Sequence, residues 1–401
     1  MDILERISSI NRKDYQRDNF DDFLRKVGFN FDVPAIHIAG TNGKGSTASY
    51  LNSIYIENGY KTGIFSTPDD FFETIKINNQ PIEKSFVERI FEDNEKLFKK
   101  FKLSEFEIQT FIALNYFKEN AVDIAIIECG MGGELDATNI FIPVLSIITS
   151  ISIEHSMFLG DSLSSIAAHK AGIIKQGIPV LIGKVEGDAL DVVVARAKEE
   201  RSDLIQVDNY HNYISDAEGA NFDYRPYMQL HIPSKARYSA FAASLAIEAT
   251  NILKDKLPVT EKALKDGLDK MTLKCRFEKV HDRPVVILDG AHNPEAIEQL
   301  RKEFDKNYPA QRAKIVFASF TDKSIANMLP EINLIGDIYL TTFDHPRARH
   351  EDDYFIYLSD YSFTEDYKEL LTKLMTEDGL ILVTGSLAFA YEVRKYLKGI
   401  N

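Results

Sequence analysis

The stretch Gly40-Thr41-Asn42-Gly43-Lys44-Gly45-Ser46-Thr47 determines how the first half of this chain folds. It follows the apolar run Ala35–Ala39 and precedes a helix-patterned segment, residues 48–57, which stops at Gly59. Glycines between a strand and a helix let backbone N–H groups face an anion, the helix N-terminus adds positive potential, and a lysine reaches the terminal phosphates of a nucleotide. The layout therefore predicts a phosphate-binding loop.

The spacing of this loop differs from that of a standard P-loop. Gly45 separates Lys44 from Ser46, and Ile38 stands where the first glycine would be. The alternative is a glycine turn that joins a strand to a helix and binds nothing. The lysine, the hydroxyl residues and the flanking elements together favour phosphate binding.

Composition limits the classes of protein to which this chain can belong. A length of 401 residues predicts two domains, and a formal net charge of −14 argues against a nucleic-acid-binding or acidic-membrane-binding surface. The cysteines, Cys129 and Cys275, lack metal-ligand spacing and fit a reducing compartment. No signal-type or membrane-spanning apolar stretch is present in the sequence. We expect a cytoplasmic monomer that binds neither nucleic acid nor membrane.

Alternating strand and helix patterns predict an α/β fold with mostly parallel sheets. A central P-loop-containing ATPase domain is expected over residues 1–274, and a smaller Rossmann-like domain over 275–401. In the first domain, strands are predicted at 35–39, 61–65, 123–129, 144–149 and 179–183, with helices at 82–101 and 104–118. In the second domain, strands are predicted at 284–288, 314–319, 337–342 and 380–384, and Pro294 is placed to open a helix. The boundary segment, 272–282, shows no clear period, and 208–238 is expected to be a mixed β or loop insertion.

Chemistry-bearing residues follow several of these strands, where open α/β sheets bind their ligands. Glu128 ends an apolar strand, and an acid beside a phosphate loop usually holds Mg²⁺. It would share the ion with Ser46 or Thr67 and the nucleotide phosphates. The alternative is a solvated acid at a strand end. The glycines of Gly130-Met131-Gly132-Gly133 permit a close approach of the backbone to a ligand.

Four further candidates are weaker when each is taken alone. His155 follows another strand, and Lys170 lies on a helix that starts near Ser162; both residue types are commonly solvated. In the second domain, Asp289 and His292 lie on the loop after the first strand. Arg276 lies in the boundary segment, from which a guanidinium could reach a triphosphate with bidentate geometry, or it is an ordinary surface residue.

Taken in order, several motifs make the chain resemble the folylpolyglutamate synthase/dihydrofolate synthase family, a branch of the Mur-type ATP-dependent amide ligases. The similarity extends from about residue 30 to the C-terminus. Its most specific segments are residues 40–47, 128–139, 170–175, 289–294 and 383–387.

The resemblance implies roles for individual residues. Lys44, His155 and Lys170 would be catalytic, with Lys170 carried as a carbamate that supports a second magnesium. Magnesium ligands would be Ser46, Thr67, Glu128 and His155. The nucleotide would be held by Asn42, Gly43, Lys44, Gly45, Ser46 and Thr47 and, from the C-terminal domain, by Arg276, Asp289 and His292. Carbamylation requires that burial lower the pKa of the amine enough to leave it neutral toward CO₂.

Several positions differ from the family pattern. The loop 67–75 is shorter and lacks the family's histidine and arginine. Glu134 replaces an arginine, Glu154 replaces the aspartate before the histidine, and Ser239 stands where an asparagine usually contacts adenine. The phosphate and metal motifs are kept, while loops expected to face the acceptor or the base are altered.

The function that the resemblance implies is ligation of L-glutamate to a folate-type carboxylate with ATP and two Mg²⁺ ions, through an acyl phosphate. One competing hypothesis is the same chemistry on another carboxylate acceptor, or on dihydropteroate; Asp136 would then contact a pterin, or else belong to a structural turn. A phosphate-binding loop would also suit a non-catalytic nucleotide-binding protein or a P-loop kinase. A kinase leaves Lys170 and residues 289–294 without a role.

Overall fold

The computed structural model describes residues 2–10, 17–66 and 71–399. Contacts within the chain divide it into two compact units. The first unit comprises Met1–Tyr213, Asn221–His231 and Phe241–Met271, and the second comprises Ile214–Ala220, Ile232–Ala240 and Thr272–Asn401. The domain boundary expected between residues 274 and 275 stays a prediction.

An eight-stranded sheet organises the first unit. Its strands are β1 (Ala35–Ala39), β2 (Thr62–Phe65), β3 (Ile75–Ile77), β4 (Gln80–Pro81), β5 (Ile124–Glu128), β6 (Leu145–Ser150), β7 (Val180–Lys184) and β8 (Leu204–Gln206). Their order is β4-β3-β2-β5-β1-β6-β7-β8. The neighbouring strands in the part β2-β5-β1-β6-β7-β8 of this order pair in parallel. Strand β3 pairs antiparallel with both of its neighbours, β2 and β4. The sequence pattern does not predict the short strands β3, β4 and β8.

The central strands are buried along their whole length, which explains their continuous apolar sequences. Every residue of β1, β5 and β6 is buried. The polar residues that follow these strands therefore lie at one edge of the sheet, since parallel strands share their direction. The predicted strands at 35–39, 123–129 and 144–149 are present with small shifts at their ends.

Eleven α-helices are described between residues 3 and 270, and all but the start of one belong to the first unit. They are α1 (Ile3–Ser8), α2 (Arg17–Val27), α3 (Lys44–Glu57), α4 (Phe71–Thr74), α5 (Lys84–Phe101), α6 (Glu105–Glu119), α7 (Ser156–Leu159), α8 (Leu163–Ala171), α9 (Gly187–Glu199), α10 (Arg237–Ile252) and α11 (Glu261–Lys270). The first residues of α10 belong to the second unit. The segment 208–238, expected to be a mixed β or loop insertion, contains β9 (His211–Ser215), β10 (Ala220–Tyr224) and β11 (Tyr227–Ile232), which form a separate sheet in the order β11-β10-β9.

The second unit contains a six-stranded sheet. Its strands are β12 (Glu278–Asp282), β13 (Val285–Leu288), β14 (Ala313–Phe317), β15 (Gly336–Thr342), β16 (Ser362–Asp366) and β17 (Leu380–Thr384), in the order β12-β13-β17-β14-β15-β16. Only the pair β12–β13 is antiparallel among the described strands of this sheet. The helices are α12 (Pro294–Asn307), α13 (Leu329–Ile335), α14 (Tyr367–Leu374) and α15 (Leu387–Leu397). The prediction of an α/β fold with mostly parallel sheets is thereby confirmed.

Strand β12 lies within residues 272–282, the segment in which the sequence shows no clear period. Its residues are exposed or half-buried, because it is an edge strand. An edge strand with charged side chains lacks the apolar run that identifies a central strand.

Across the residues that the structure describes, no helix is both long enough and apolar enough to cross a bilayer.

Helix α11 packs against α3, the helix that follows the phosphate-binding turn, through a glycine. A Cβ atom at Gly267 would lie 2.6 Å from the Cα of Ile54. We predict that Gly267→Ala lowers the free energy of unfolding by about 1–3 kcal/mol, although alanine favours a helix interior by about 1 kcal/mol over glycine. Urea unfolding followed by circular dichroism measures the change. Lys265→Ala, on the same helix, is the matched control, and a Gly267→Ala protein as stable as this control would contradict the close packing.

Candidate active site

The phosphate-binding turn lies against the carboxyl end of β6. Gly40 has φ of 151°, and a Cβ atom at this position would lie 1.9 Å from Oγ1 of Thr149. Only glycine fits both the conformation and the space. The Thr149 hydroxyl donates to the carbonyl of Asn42 at 2.6 Å. The turn is therefore packed directly on the neighbouring strand.

Further hydrogen bonds fix the path of the turn from the same strand end. The amide of Thr41 donates to the carbonyl of Ser150 at 2.9 Å, and the amide of Asn42 donates to the Ser150 hydroxyl at 2.9 Å. The Thr41 hydroxyl accepts from the amide of Ser152 at 3.1 Å and donates to its carbonyl at 3.2 Å. With this many partners, the backbone of the turn is held in one conformation before any ligand arrives.

The helix that follows the turn provides an anion-binding end. Gly43, with φ of 87°, occupies the position before α3 and has no side chain with which to cap the first turn. The first-turn N–H groups of a helix that lacks such a cap can bind an anion. The Lys44 ammonium donates to the carbonyls of Gly40 at 2.9 Å and Thr41 at 3.4 Å, which places its charge over the turn. The Thr47 side chain is fully buried, and its hydroxyl has no hydrogen-bond partner among the described residues.

The Glu128 carboxylate lies beside the same helix end. A Cβ atom at Gly45 would lie 3.2 Å from Oε2 of Glu128, and the Glu128 side chain is buried. Ser46 is also buried and follows Gly45 directly. Within the described residues, no group of three or more His, Cys, Asp or Glu side chains is arranged to hold a metal. A carboxylate and a hydroxyl next to a phosphate-binding turn still fit Mg²⁺, because this ion uses few protein ligands and takes the rest from phosphates and water.

Lys170, on α8, forms a buried ion pair with Glu154. Its Nζ lies 3.1 Å from Oε1 of Glu154, and the side chains are 1% and 7% exposed. Burial lowers the pKa of Lys170, although Glu154 opposes this shift. Burial acts to raise the pKa of Glu154, but the charges of Lys170 and Lys44 outweigh it and lower that pKa to about 2. His155 adopts φ of 49° and adds positive potential at Glu154.

The Asp136 carboxylate accepts hydrogen bonds within the turn that follows β5. It accepts from the amides of Met131 at 2.7 Å and Thr138 at 2.9 Å, and from the Thr138 hydroxyl at 2.5 Å. The side chain is buried, and burial raises its pKa. These contacts favour a structural role for Asp136, and a contact with a pterin stays a prediction.

The turn 130–139 also positions the helix that carries Lys170. The amide of Glu134 donates to the carbonyl of His169 at 2.7 Å, and Asn139 Nδ2 donates to the carbonyl of Gly172 at 3.2 Å. A Cβ atom at Gly133 would lie 2.7 Å from the carbonyl oxygen of His169, so the two segments touch through backbone. The sequence between Glu128 and Asn139 thus sets the place of Lys170 relative to Glu128.

In the second unit, Asp289 organises the loop that begins after β13. Its Oδ2 accepts from the hydroxyl of Tyr238 at 2.6 Å and the amide of Phe277 at 2.8 Å, and its Oδ1 accepts from the amide of Ala291 at 2.9 Å. His292 Nδ1 lies 2.8 Å from the carbonyl oxygen of Gly290. A Cβ atom at Gly290 would lie 2.6 Å from Nη1 of Arg276, so the guanidinium lies against this loop. The structure brings Arg276 and Asp289 together within this unit.

Ser386 is a candidate that sequence reasoning did not select. It precedes α15, is 2% exposed, and its hydroxyl has no hydrogen-bond partner among the described residues. The adjacent Gly385 donates its amide to the carbonyl of Ala291 at 3.0 Å, which places Ser386 next to the loop that holds His292. A Gly-Ser pair directly after a buried strand was the available signal in the sequence.

Thr67 and Ser239 are the two remaining positions for which the sequence suggests a role. Thr67 and the three residues after it lie outside the described residues. Ser239 is fully buried, and its hydroxyl accepts from that of Ser234 at 2.9 Å. Its position therefore does not favour a contact with a base.

Two family models match the chain. Residues 38–225 match the Mur ligase middle domain, and residues 275–387 match the Mur ligase glutamate ligase domain. The first match contains the phosphate-binding turn, Glu128 and Lys170, and the second contains Arg276, Asp289 and Ser386.

Individual proteins are similar over almost the entire chain. The dihydrofolate synthase/folylpolyglutamate synthase of Bacillus subtilis is 33% identical in an alignment that covers 91% of this chain and 91% of its own. The folylpolyglutamate synthase of Lacticaseibacillus casei is 31% identical over 91% of this chain and 90% of its own. A solved structure of Escherichia coli FolC in complex with DHPP and ADP is 27% identical, covers 99% of this chain and 97% of its own, and superposes with a TM-score of 0.88.

The Lys170–Glu154 pair makes a testable contribution to stability. We predict that Glu154→Gln lowers the free energy of unfolding by about 3 kcal/mol at pH 7, because it leaves the buried ammonium without its counter-charge. The contribution of Glu154 is complete above its ordinary pKa of 4.5 and is lost as the pH falls toward about 2. The difference between the two proteins should therefore shrink in acid.

Urea unfolding at pH 7 and at pH 3 measures this difference. The control is Glu119→Gln, which removes the exposed pair with Arg89 (side chains 46% and 48% exposed) and should change stability by less than about 1 kcal/mol. Equal changes in the free energy of unfolding for the two substitutions at pH 7 would show that the buried pair stabilises the fold no more than the exposed pair does.

Proposed function

The chain belongs to the dihydrofolate synthase/folylpolyglutamate synthase family and is an ATP-dependent folate–glutamate ligase; we propose that its phosphate-binding turn converts the substrate carboxylate to an acyl phosphate. The observation that carries this proposal is the turn itself, packed on β6 with Lys44 over it and Glu128 beside it. That arrangement suits transfer of a terminal phosphoryl group.

The reaction then has two steps. A carboxylate oxygen of the folate-type substrate attacks the terminal phosphorus of ATP, and ADP leaves. The amine of L-glutamate attacks the acyl carbon, phosphate leaves, and the nitrogen loses a proton. Neither step needs a nucleophile from the protein. The contribution of the chain is to place the reactants and to stabilise negative charge on the transferred phosphoryl group, which is the role of Lys44 and of the first-turn amides of α3.

Magnesium fits the residues around Glu128. We propose Glu128 and Ser46 as ligands of one ion, with Thr67 and His155 as the further ligands that the family pattern suggests. Bound Mg²⁺ supplies charge neutralisation at the phosphate oxygens. In its absence the first-turn amides and Lys44 still provide the anion site, so nucleotide binding and metal binding can be measured separately.

Lys170 is the proposed site of carbamylation. Burial lowers the pKa of Lys170 and so increases the fraction of neutral amine, the form that reacts with CO₂, in equilibrium with the ammonium that pairs with Glu154. The carbamate would bring a negative charge close to the Glu154 carboxylate, so it requires a cation to balance the two. A second magnesium would supply that charge.

Arg276 and His292 are proposed to hold the nucleotide from the second unit. Asp289 acts in a different way, because its carboxylate oxygens accept hydrogen bonds from Tyr238, Phe277 and Ala291. We assign Asp289 to shaping the loop. The Ser386 hydroxyl, buried and unpaired among the described residues, is proposed to bond a substrate group next to this loop. We also propose that the protein acts as a cytoplasmic monomer.

The first test of this function supplies ATP, Mg²⁺ and L-glutamate with tetrahydrofolate, dihydropteroate or a non-folate carboxylate, and identifies the products by mass spectrometry. We predict a mass gain of one glutamyl residue on a folate-type acceptor, together with one ADP for each amide. Which acceptor reacts distinguishes folylpolyglutamate synthase from dihydrofolate synthase activity. ADP release without an acceptor-dependent product would contradict ligation and favour a nucleotide switch.

The second test concerns Lys170. Lys170→Ala should lower kcat at least about 100-fold, since it removes the proposed carbamate, and small carboxylates such as acetate should restore part of the activity. Incubation of the native protein with ¹³C-bicarbonate should give a carbamate signal in NMR spectra that is absent from the variant. Unchanged turnover of Lys170→Ala, or native protein without the signal, would contradict carbamylation.

A further inference from the structure

Arg276 is flanked on both sides by strained residues. Cys275 has φ of 53° and Phe277 has φ of 51°, and neither is a glycine. A non-glycine residue in the left-handed region is uncommon, and two such residues on either side of one arginine are rarer still. Such conformations persist only where the surroundings hold them, and they cluster at sites that hold ligands. The hydrogen bonds on either side of Arg276 identify the groups that keep Cys275 and Phe277 in this conformation.

The backbone groups on either side of Arg276 have partners within the second unit. The amide of Cys275 donates to Glu278 Oε2 at 2.9 Å, and the amide of Phe277 donates to Asp289 Oδ2 at 2.8 Å. The carbonyl of Cys275 accepts from the amide of Gly290 at 2.9 Å and from Arg276 Nη1 at 3.2 Å. Two carboxylates thus hold the two strained residues, one on each side of the arginine.

Glu278 is itself held by a cation from the end of the chain. Arg394, on α15, donates through Nε to both carboxylate oxygens of Glu278, at 3.0 and 2.9 Å, and the side chains are 14% and 10% exposed. Lys398 adds a contact of 3.3 Å. The pair is largely buried, so solvent screens it little, and a charge-assisted hydrogen bond of this kind is strong.

From these contacts we propose that Glu278, held by Arg394, is a positioning residue for the nucleotide. It fixes Cys275 in the left-handed conformation and, together with Asp289, turns the Arg276 side chain toward the loop 289–292. This inference rests on the proposed contact between Arg276 and the nucleotide. It assigns a function to a buried ion pair that joins β12 to α15, two elements at opposite ends of the unit's sequence.

The test measures kcat and KM for ATP in single and double variants. Arg276→Gln should lower kcat/KM for ATP about 100-fold, the scale of one lost charge-assisted phosphate contact. Glu278→Leu, which removes the acceptor for the Cys275 amide, should lower it about 30-fold, with most of the loss in KM. Glu278→Gln keeps an acceptor oxygen and should recover most of the activity. In the Arg276→Gln background, Glu278→Leu should cause less than about a 3-fold further loss, because the guanidinium it positions is gone.

The readout that does not depend on activity is amide hydrogen exchange over residues 272–280. Glu278→Leu should raise the exchange of the Cys275 amide relative to the native protein, while Glu278→Gln should leave it protected. Asp337→Leu is the matched control, because it removes an exposed ion pair with Arg312 in the same unit, and it should leave kinetics and exchange unchanged.

Three results would overturn the inference. Native kinetics in Glu278→Leu would show that the pair does not act on the nucleotide. Equal losses from Glu278→Leu with and without Arg276 would show that it acts on the fold and not through the arginine. Native kinetics in Arg276→Gln would contradict the proposed contact between Arg276 and the nucleotide, and Glu278 would then have no guanidinium to position. The proposed nucleotide contact fails only in this third case, whereas in the first two cases the inference about Glu278 fails alone.

Discussion

The packing of residues 40–43 against the end of β6 fixes the shape of the candidate active site in the first unit. Gly40 has no room for a side chain beside Thr149, and the hydroxyls of Thr149 and Ser150 bond the backbone of Asn42. Because β6 lies next to β1 in the sheet, the turn that follows β1 is anchored to two paired, buried strands. A turn held in this way needs little rearrangement to bind a phosphate, so binding energy is available for the reaction. Glu128 is placed by the same sheet, since β5 is the other neighbour of β1.

Much of the fold could be predicted from the sequence, because its central strands are apolar runs and its turns carry glycine, proline or polar residues. Strand β1 and the start of α12 at Pro294 are examples. Strand β12 could not be predicted, because an edge strand with charged residues has no apolar period. The candidate site residues were chosen from motifs, but their hydrogen-bond partners could not be predicted. The contacts of Thr149 with Asn42 and of Glu278 with Arg394 join positions far apart in the chain, and no local pattern indicates them.

Two residues illustrate how the structure changes the interpretation of a motif. Asp136 and Asp289 both lie in glycine-containing turns after buried strands, and the sequence makes both of them candidates for direct contact with a ligand. In the structure each carboxylate accepts hydrogen bonds from backbone amides of its surroundings. Both side chains are buried, and this burial raises the pKa of each carboxyl group. These hydrogen bonds favour a role in shaping the backbone that presents other groups.

If the turn 40–47 is a preformed phosphate site, its shape depends on the absence of a side chain at position 40. This can be measured by calorimetric titration of a non-hydrolysable ATP analogue with Mg²⁺ into native protein, Gly40→Ala and Gly40→Ala/Thr149→Ala. We expect Gly40→Ala to weaken binding at least about 100-fold, because the new Cβ would collide with Thr149, and the second substitution to restore part of the affinity by removing the collision with the hydroxyl. Native affinity in a folded Gly40→Ala protein would show that the turn does not depend on a glycine at this position.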